Sequence, residues 1–180
     1  LLLEDIKPEQ FLMLTFSKSA AIEFRDRIRQ LIPEFTGLLK ITTFHGYCFQ
    51  LLGQLGDLEK SQNVIQDCIQ AIREDEIDVT SIANKSVLLF DEFQDINKDE
   101  WELIKQLIEV AEKPRVIAVG DDDQNIYEFR GSSNRFMKRF QEDYQATTYT
   151  LPKNYRSRSG IINFNNQVLD KLQDRMKSQP

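Results

Sequence analysis

Several residue types that commonly build functional sites are scarce in this sequence of 180 residues. It has one histidine, His45, which excludes a metal site made of several histidines. It has two cysteines, Cys48 and Cys68, whose separation does not match the spacing of metal-ligating cysteines. Both occupy apolar positions of predicted helices, which is typical of buried free thiols in a reducing compartment. We therefore expect a cytoplasmic protein.

Long apolar runs are also missing. No run approaches the roughly 18 residues that cross a membrane, and the chain does not open with the charged and then apolar segment of a secretory leader. We therefore expect no membrane partner. The sequence starts with Leu1 and not with an initiator methionine, so we expect a fragment of a longer polypeptide.

Charge is distributed unevenly along the chain. The formal net charge of −6 argues against a protein that is basic throughout. Residues 57–78 contain seven acidic and two basic residues, whereas residues 130–158 contain seven basic and two acidic ones. The second segment predicts a local basic face, which can bind phosphates even on an acidic protein.

Short apolar segments alternate with segments of helical periodicity. The predicted strands are residues 11–16, 38–43, 86–90, 115–119 and 147–151, and Ser17 and Asn97 are the predicted caps of the helices after the first and third of them. This alternation predicts an α/β fold with a three-layer, mostly parallel sheet. A change of composition near Ala146 divides the chain into residues 1–145, with a short helical insertion near 57–85, and residues 146–180.

Two adjacent acidic residues, Asp91 and Glu92, directly follow the predicted strand 86–90. Ligands of parallel α/β sheets bind at the carboxyl ends of the strands. One carboxylate there can bind Mg²⁺ while its neighbour orients a water that attacks a phosphate. Taken alone, an acidic pair is more often a solvated turn. Further polar clusters at strand ends, residues 15–18, 42–45 and 120–130, favour a shared site, although each also fits an ordinary turn.

Five segments in this order resemble successive motifs of UvrD/Rep/PcrA-type superfamily 1 DNA helicases. They are residues 14–21, 43–45, 90–95, 119–131 and 151–157. The most specific are Phe90-Asp91-Glu92-Phe93-Gln94-Asp95 and Gly120-Asp121-Asp122-Asp123-Gln124. The resemblance covers nearly the whole chain. It implies a RecA-like P-loop NTPase fold, with residues 1–145 in a first RecA-like, ATP-binding domain and residues 146–180 at the start of a second.

The resemblance implies a role for individual residues around ATP and Mg²⁺. Asp91 binds Mg²⁺, and Glu92 activates the hydrolytic water. Gln124 contacts the γ-phosphate, and Tyr155 stacks on adenine. Arg156 reaches the same phosphate from the second domain as an arginine finger, a role that suits the paired donors of a guanidinium.

The resemblance also implies a track for single-stranded DNA, or for a junction between single-stranded and duplex DNA. The track residues are Phe16, Thr43, His45, Tyr127, Phe129 and Arg130. Aromatic rings stack on any base, at about 1–3 kcal/mol per base, and so suit movement that does not depend on base sequence.

The sequence departs from the family in one important respect. No Gly-x-x-x-x-Gly-Lys-Ser/Thr loop occurs in it, so the group that cradles the phosphates is absent from these residues. We expect this loop, and most of the second RecA-like domain, in missing parts of the parent chain, which are then partners of this segment. We expect the fragment alone to be inactive. The interval between His45 and Asp91 is also short for the family.

The favoured function is an ATP-dependent 3′–5′ DNA helicase or translocase in the full-length protein. Three alternatives remain open. One is the helicase part of a RecB/AddA-like helicase–nuclease, and another is a non-catalytic, helicase-like module that binds DNA. The last is a small Mg²⁺-dependent phosphohydrolase, which leaves Tyr155 and Arg156 unexplained.

Overall fold

The computed structural model describes residues 6–35, 37–53, 63–125 and 135–169. Four strands form one parallel sheet in the order β2-β1-β3-β4. They are β1 (Phe11–Thr15), β2 (Lys40–Thr43), β3 (Val87–Phe90) and β4 (Arg115–Ala118). The parallel α/β sheet predicted from the sequence is confirmed, and each of these strands lies within its predicted segment.

Helices connect and cover the strands. They are α1 (Lys18–Leu31), α2 (Phe44–Leu51), α3 (Val64–Arg73), α4 (Thr80–Ala83), α5 (Lys98–Val110), α6 (Arg135–Asp143) and α7 (Ser159–Leu169). Single turns of 3₁₀ helix occur at Pro8–Gln10, Pro33–Phe35, Phe93–Asp95 and Asp122–Gln124. None of the helices in the described ranges has the length and apolar character needed to cross a membrane.

The sheet separates two cores of unequal size, because successive side chains of a strand point to opposite faces. On one face, Leu12, Leu88 and Phe90 join a large cluster with residues of α2, α3, α5 and α6. On the other face, Met13 packs with Ala21 of α1 in a small cluster. Helices therefore cover both faces, which gives the predicted three layers.

The structure describes residues 63–85 of the segment in which the sequence predicts a short helical insertion. Helices α3 and α4 lie within it, whereas residues 54–62 are outside the described ranges. The predicted inward face of α3 is confirmed by the burial of its apolar side chains. These are Val64, Ile65, Cys68, Ile69 and Ile72.

Both helix caps predicted from the sequence are present. The Ser17 hydroxyl accepts a hydrogen bond from the backbone N–H of Ala20 (3.1 Å). Asn97 and Glu100 form a reciprocal capping box at the start of α5: the Asn97 side chain accepts from the N–H of Glu100 (3.0 Å), and the Glu100 carboxylate accepts from the N–H of Asn97 (2.9 Å). The second cap fixes the helix that follows the acidic pair.

The strand predicted at residues 147–151 is wrong. These residues are irregular, and the side chains of Tyr149 and Leu151 are 85% and 89% exposed. Alternating polar and apolar residues form a strand only when a neighbouring strand accepts their backbone hydrogen bonds. No strand in the described part of the chain pairs with this segment.

Candidate functional site

The carboxyl ends of three strands meet at one edge of the sheet. Leu14 pairs with Phe90, and Phe90 pairs with Ala118, so β1, β3 and β4 end at the same level. The backbone N–H of Asp91 donates to the Leu14 carbonyl (2.9 Å), and that of Val119 donates to the Phe90 carbonyl (2.8 Å). The acidic pair therefore leaves the sheet between the ends of two other strands.

Asp91 is half-buried at this edge. Burial, and then the neighbouring Glu92 carboxylate, raise the pKa of Asp91 above its ordinary value, while the nearby Thr15 hydroxyl acts in the opposite direction. Thr15 is fully buried, and its hydroxyl has no hydrogen-bond partner of normal geometry among the described residues. A carboxylate and an unsatisfied hydroxyl that lie close together are oxygen donors of the kind that Mg²⁺ prefers.

Glu92 has a backbone conformation that is unfavourable for a residue with a side chain. Its φ and ψ are 54° and 44°, in the left-handed region. The other described non-glycine residues with positive φ, Asp75, Lys113 and Gln145, each follow the end of a helix, where this conformation is common. Glu92 instead follows a strand. Such strain, about 1–3 kcal/mol, is concentrated at functional sites.

A chain of hydrogen bonds joins Glu92 to Gln124. The side-chain amide of Gln94 donates to the Glu92 carboxylate (2.7 Å) and accepts from the backbone N–H of Asp121 (3.0 Å). The Asp121 carboxylate accepts from the Gln124 side-chain amide (2.7 Å). We call Asp91, Glu92, Gln94, Asp121 and Gln124 the acidic rim.

The acidic rim rests on an aromatic part of the large core. Phe93, between the acidic pair and Gln94, is 1% exposed. Its ring centroid lies 5.3 Å from that of Phe140 and 6.3 Å from that of Trp101. Burial of three large rings fixes the turn Phe93–Asp95 and with it the backbone of the rim.

Tyr155 and Arg156 lie in residues 147–158, which we call the arginine segment. Tyr155 is 85% exposed, and the Lys153 ammonium lies 4.9 Å from its ring centroid. The Asn154 side chain accepts from the backbone N–H groups of Arg156 and Ser157 (2.9 Å each). No hydrogen bond or ion pair within the described ranges joins Arg156 to Glu92 or Gln124. The structure thus brings Asp91, Glu92 and Gln124 together but not the arginine.

Three of the predicted DNA-binding residues lie at the ends of β1 and β2. Phe16 is half-buried directly after β1. The Thr43 hydroxyl is largely buried and caps α2 by accepting from the N–H of Gly46 (3.0 Å). His45 is exposed at the start of α2, and partial desolvation of its ring lowers its pKa. The other three, Tyr127, Phe129 and Arg130, lie outside the described residues.

The sequence did not assign a role to Thr15, Gln94 or Asp121. Thr15 was one residue of the polar cluster 15–18 at the end of an apolar strand, and Gln94 was one polar residue of a motif. Their positions depend on contacts between β1 and β3 and between residues 94 and 121, which local patterns do not contain. The signal available in the sequence was that Gln94 stands in a short stretch bounded by the apolar residues Phe93 and Ile96, and the structure buries all four residues 93–96.

Comparison with known proteins identifies relatives of this chain. DNA helicase II of Haemophilus influenzae is 40% identical over 89 residues, which are 49% of this chain and 12% of that protein. The ATP-dependent DNA helicase PcrA of Staphylococcus aureus is 23% identical over an alignment of 257 residues, gaps included. The alignment covers 96% of this chain and 35% of that protein. This chain therefore spans about a third or less of the length of these relatives.

One solved structure and one family model complete the comparison. The Pif1 helicase of Candida albicans aligns with 96% of this chain and 52% of its own, with a TM-score of 0.33 and 13% identity. The model of the UvrD/REP helicase N-terminal domain matches residues 1–85 and 62–145. Because this match extends over well more than half of the sequence, the chain belongs to the UvrD/REP helicase N-terminal domain family.

Proposed function

We propose that this chain is part of an ATP-dependent 3′–5′ DNA helicase or translocase in which the acidic rim hydrolyses ATP. The observation that carries the proposal is the hydrogen-bonded connection of Glu92 to Gln124 at the carboxyl edge of the sheet. Family membership and the names of the relatives, which are DNA helicases, support it. The activity belongs to the whole protein, of which this chain is a part.

In this proposal the two acids have separate tasks. Asp91, with the Thr15 hydroxyl beside it, holds Mg²⁺, which neutralises charge on the phosphates when it is bound. A nearby cation favours the charged form of Asp91 and so opposes the effect of burial on its pKa. Glu92 is exposed and held by Gln94, and it accepts hydrogen bonds from the attacking water.

Gln124 and Arg156 make the site sensitive to the nucleotide. Gln124 is exposed at the same edge as Glu92 and contacts the γ-phosphate through its amide. Arg156 lies in the second domain, and its exposed side chain reaches the phosphate when that domain closes on the first. Opening and closing once per hydrolysis event then moves the protein along DNA.

The proposed DNA track starts at the ends of β1 and β2. Phe16 stacks on a base there, and the His45 ring contributes stacking or a hydrogen bond. Tyr127, Phe129 and Arg130 continue the track in the proposal. Its substrate is single-stranded DNA or a junction of single-stranded and duplex DNA.

Other parts of the parent chain complete the site. Strand β4 has one neighbour in the described sheet, and Val119 directly after it is 45% exposed, so this edge can accept a further strand. These 180 residues contain no Gly-x-x-x-x-Gly-Lys-Ser/Thr loop. We therefore expect them, by themselves, neither to hydrolyse ATP nor to unwind DNA.

The test is Glu92→Gln in the longest natural polypeptide that contains these residues. The substitution keeps the size of the side chain and removes the base, so DNA-stimulated ATP hydrolysis should fall by about 10²–10⁴-fold while nucleotide binding persists. Glu112→Gln, at an exposed position after α5, is the matched control and should retain full activity. Undiminished hydrolysis by the Glu92 variant would remove Glu92 as the base.

A further inference from the structure

A buried glutamine connects the two halves of the acidic rim. We propose that Gln94 is a positioning residue that holds the Glu92 carboxylate in its working orientation and ties that orientation to the loop that carries Gln124. The inference deepens the proposed function and rests on it for its catalytic consequence. The physical connection itself is a property of the fold and can be tested without nucleotide.

The Gln94 side chain lies in a buried environment in which both of its polar ends are used. It is 2% exposed, so its amide has little access to water and needs partners in the protein. Both ends of the amide are used: Nε2 donates to Glu92, and Oε1 accepts from the N–H of Asp121. Reversing the amide would place oxygen against the carboxylate and N–H against N–H, so both bonds favour the same orientation.

The turn after β3 and the loop after β4 pack closely against each other. A Cβ atom added to Gly120 would lie 2.8 Å from Oε1 of Gln94 and 3.1 Å from its backbone nitrogen. The backbone N–H of Phe93 also donates to the Val119 carbonyl (2.9 Å). The loop after β4 therefore lies directly against the turn after β3, and one cannot shift without disturbing the other.

Glu92 itself is exposed, and its backbone lies in the left-handed region directly after a strand. A hydrogen bond to the buried Gln94 amide restricts the Glu92 side chain more than a hydrogen bond to an exposed group would. The reason is that the Gln94 side chain is itself held in one conformation by burial and by its second hydrogen bond. The Asp121 carboxylate also accepts a hydrogen bond from Gln124. Movement of Gln124 toward a phosphate would therefore displace the loop after β4, which orients Gln94.

The first experiment uses this 180-residue chain without nucleotide. In Gln94→Met, which preserves the shape of the side chain but removes both hydrogen bonds, amide hydrogen exchange at Asp121 measured by NMR should accelerate about tenfold or more. Gln94→Glu keeps an acceptor for this N–H but loses the donor to Glu92, so the Asp121 amide should stay protected. Gln70→Met on the exposed face of α3 is the control. Unchanged exchange in Gln94→Met would overturn the connection.

The second experiment measures ATP hydrolysis by the longest natural polypeptide that contains these residues. Both Gln94 variants should lower kcat about tenfold or more with little change in the KM for ATP, since Glu92 remains present but is misplaced. In a Glu92→Gln background, Gln94→Met should cause no further loss. Full additivity of the two substitutions, or a wild-type kcat in Gln94→Glu, would overturn the positioning role. Absence of hydrolysis in the wild type would refute the proposed function instead, and the exchange measurement would still decide the connection.

Discussion

The acidic rim and the arginine segment differ in how much of their geometry the fold determines. In the rim, Gln94 is buried, and hydrogen bonds cross from the turn after β3 to the loop after β4. In the arginine segment, Tyr155 and Arg156 are exposed, and the hydrogen bonds described there are local, from Asn154 to the next residues. The geometry of the rim is fixed by the sheet, whereas the hydrogen bonds described in the arginine segment join residues that are neighbours in sequence.

This difference is consistent with the proposed function, in which the catalytic site is assembled in steps. A preorganised half needs no rearrangement before it stabilises the reaction. An exposed arginine on a separate segment can join that half when a domain closes, so that its contribution depends on the presence of nucleotide. The comparison predicts that substitutions in the arginine segment change activity without changing stability, whereas those around the rim change both.

The largest expected effect comes from Arg156→Ala. In the longest natural polypeptide that contains these residues, removal of the guanidinium should lower the rate of ATP hydrolysis by about 10³-fold, because its paired donors would no longer reach the γ-phosphate. Steady-state hydrolysis with saturating single-stranded DNA measures this. The midpoint of urea unfolding should not change, since the side chain is exposed.

A matched control for Arg156→Ala lies two residues away. Arg158→Ala removes the same charge from another exposed position of the segment and should retain most of the activity. If both variants lose activity equally, the effect is one of general charge on this face, and the arginine-finger role of Arg156 is wrong.

An intermediate effect is expected from Glu100→Gln beside the rim. Burial of Glu100, with smaller contributions from Asp99 and Asp95, raises the pKa of its carboxyl from 4.5 to about 7. The folded state therefore binds a proton that the unfolded state releases, and the free energy of unfolding falls as pH rises from about 4.5 to about 7. Glutamine has no proton to release and still accepts from the N–H of Asn97, so this loss should disappear. At about 1.4 kcal/mol per pKa unit, Glu100→Gln should be about 3 kcal/mol more stable than wild type at pH 8.

Urea unfolding of the 180-residue chain at pH 5 and pH 8 measures the change. The two proteins should differ at pH 8 and converge at pH 5. Asn154→Ala, which alters a hydrogen-bonding residue in the arginine segment, should leave the wild-type pH dependence intact. A constant difference between Glu100→Gln and wild type across this range would contradict the assignment to Glu100.

The smallest effect comes from a pair of equivalent asparagines. The side chains of Asn97 and Asn154 each accept two backbone N–H groups from residues two and three positions later. Asn97→Ala should lower the free energy of unfolding by about 1 kcal/mol, because it removes the cap of a helix with a buried face. Asn154→Ala should leave it unchanged, because its turn is exposed. Equal effects in urea unfolding would contradict the contrast between the two regions.

Much of the sheet was predictable because its signals are local. The buried strand before Asp91 and the capping box at Asn97 depend on residues that are neighbours in sequence. The strand predicted at residues 147–151 failed for the opposite reason, since a strand is completed by a partner that the local pattern does not specify. The placement of Asp91 and Glu92 at the sheet edge was predicted, whereas the bonds from Gln94 to Glu92 and Asp121 were not.

The sequence by itself determined the order of strands and helices along the chain and the acidic pair at the end of a buried strand. It also determined membership of the UvrD/REP helicase N-terminal domain family. These features depend on apolar periodicity and motif spacing, which are properties of the linear sequence. The tertiary structure alone decided which polar groups meet. Residues 94 and 121 are 27 positions apart, and their hydrogen bond exists because β3 and β4 are adjacent in a parallel sheet and Gly120 lets the loops come close. A hydrogen bond depends on distance in space, and that distance is fixed only when the core packs.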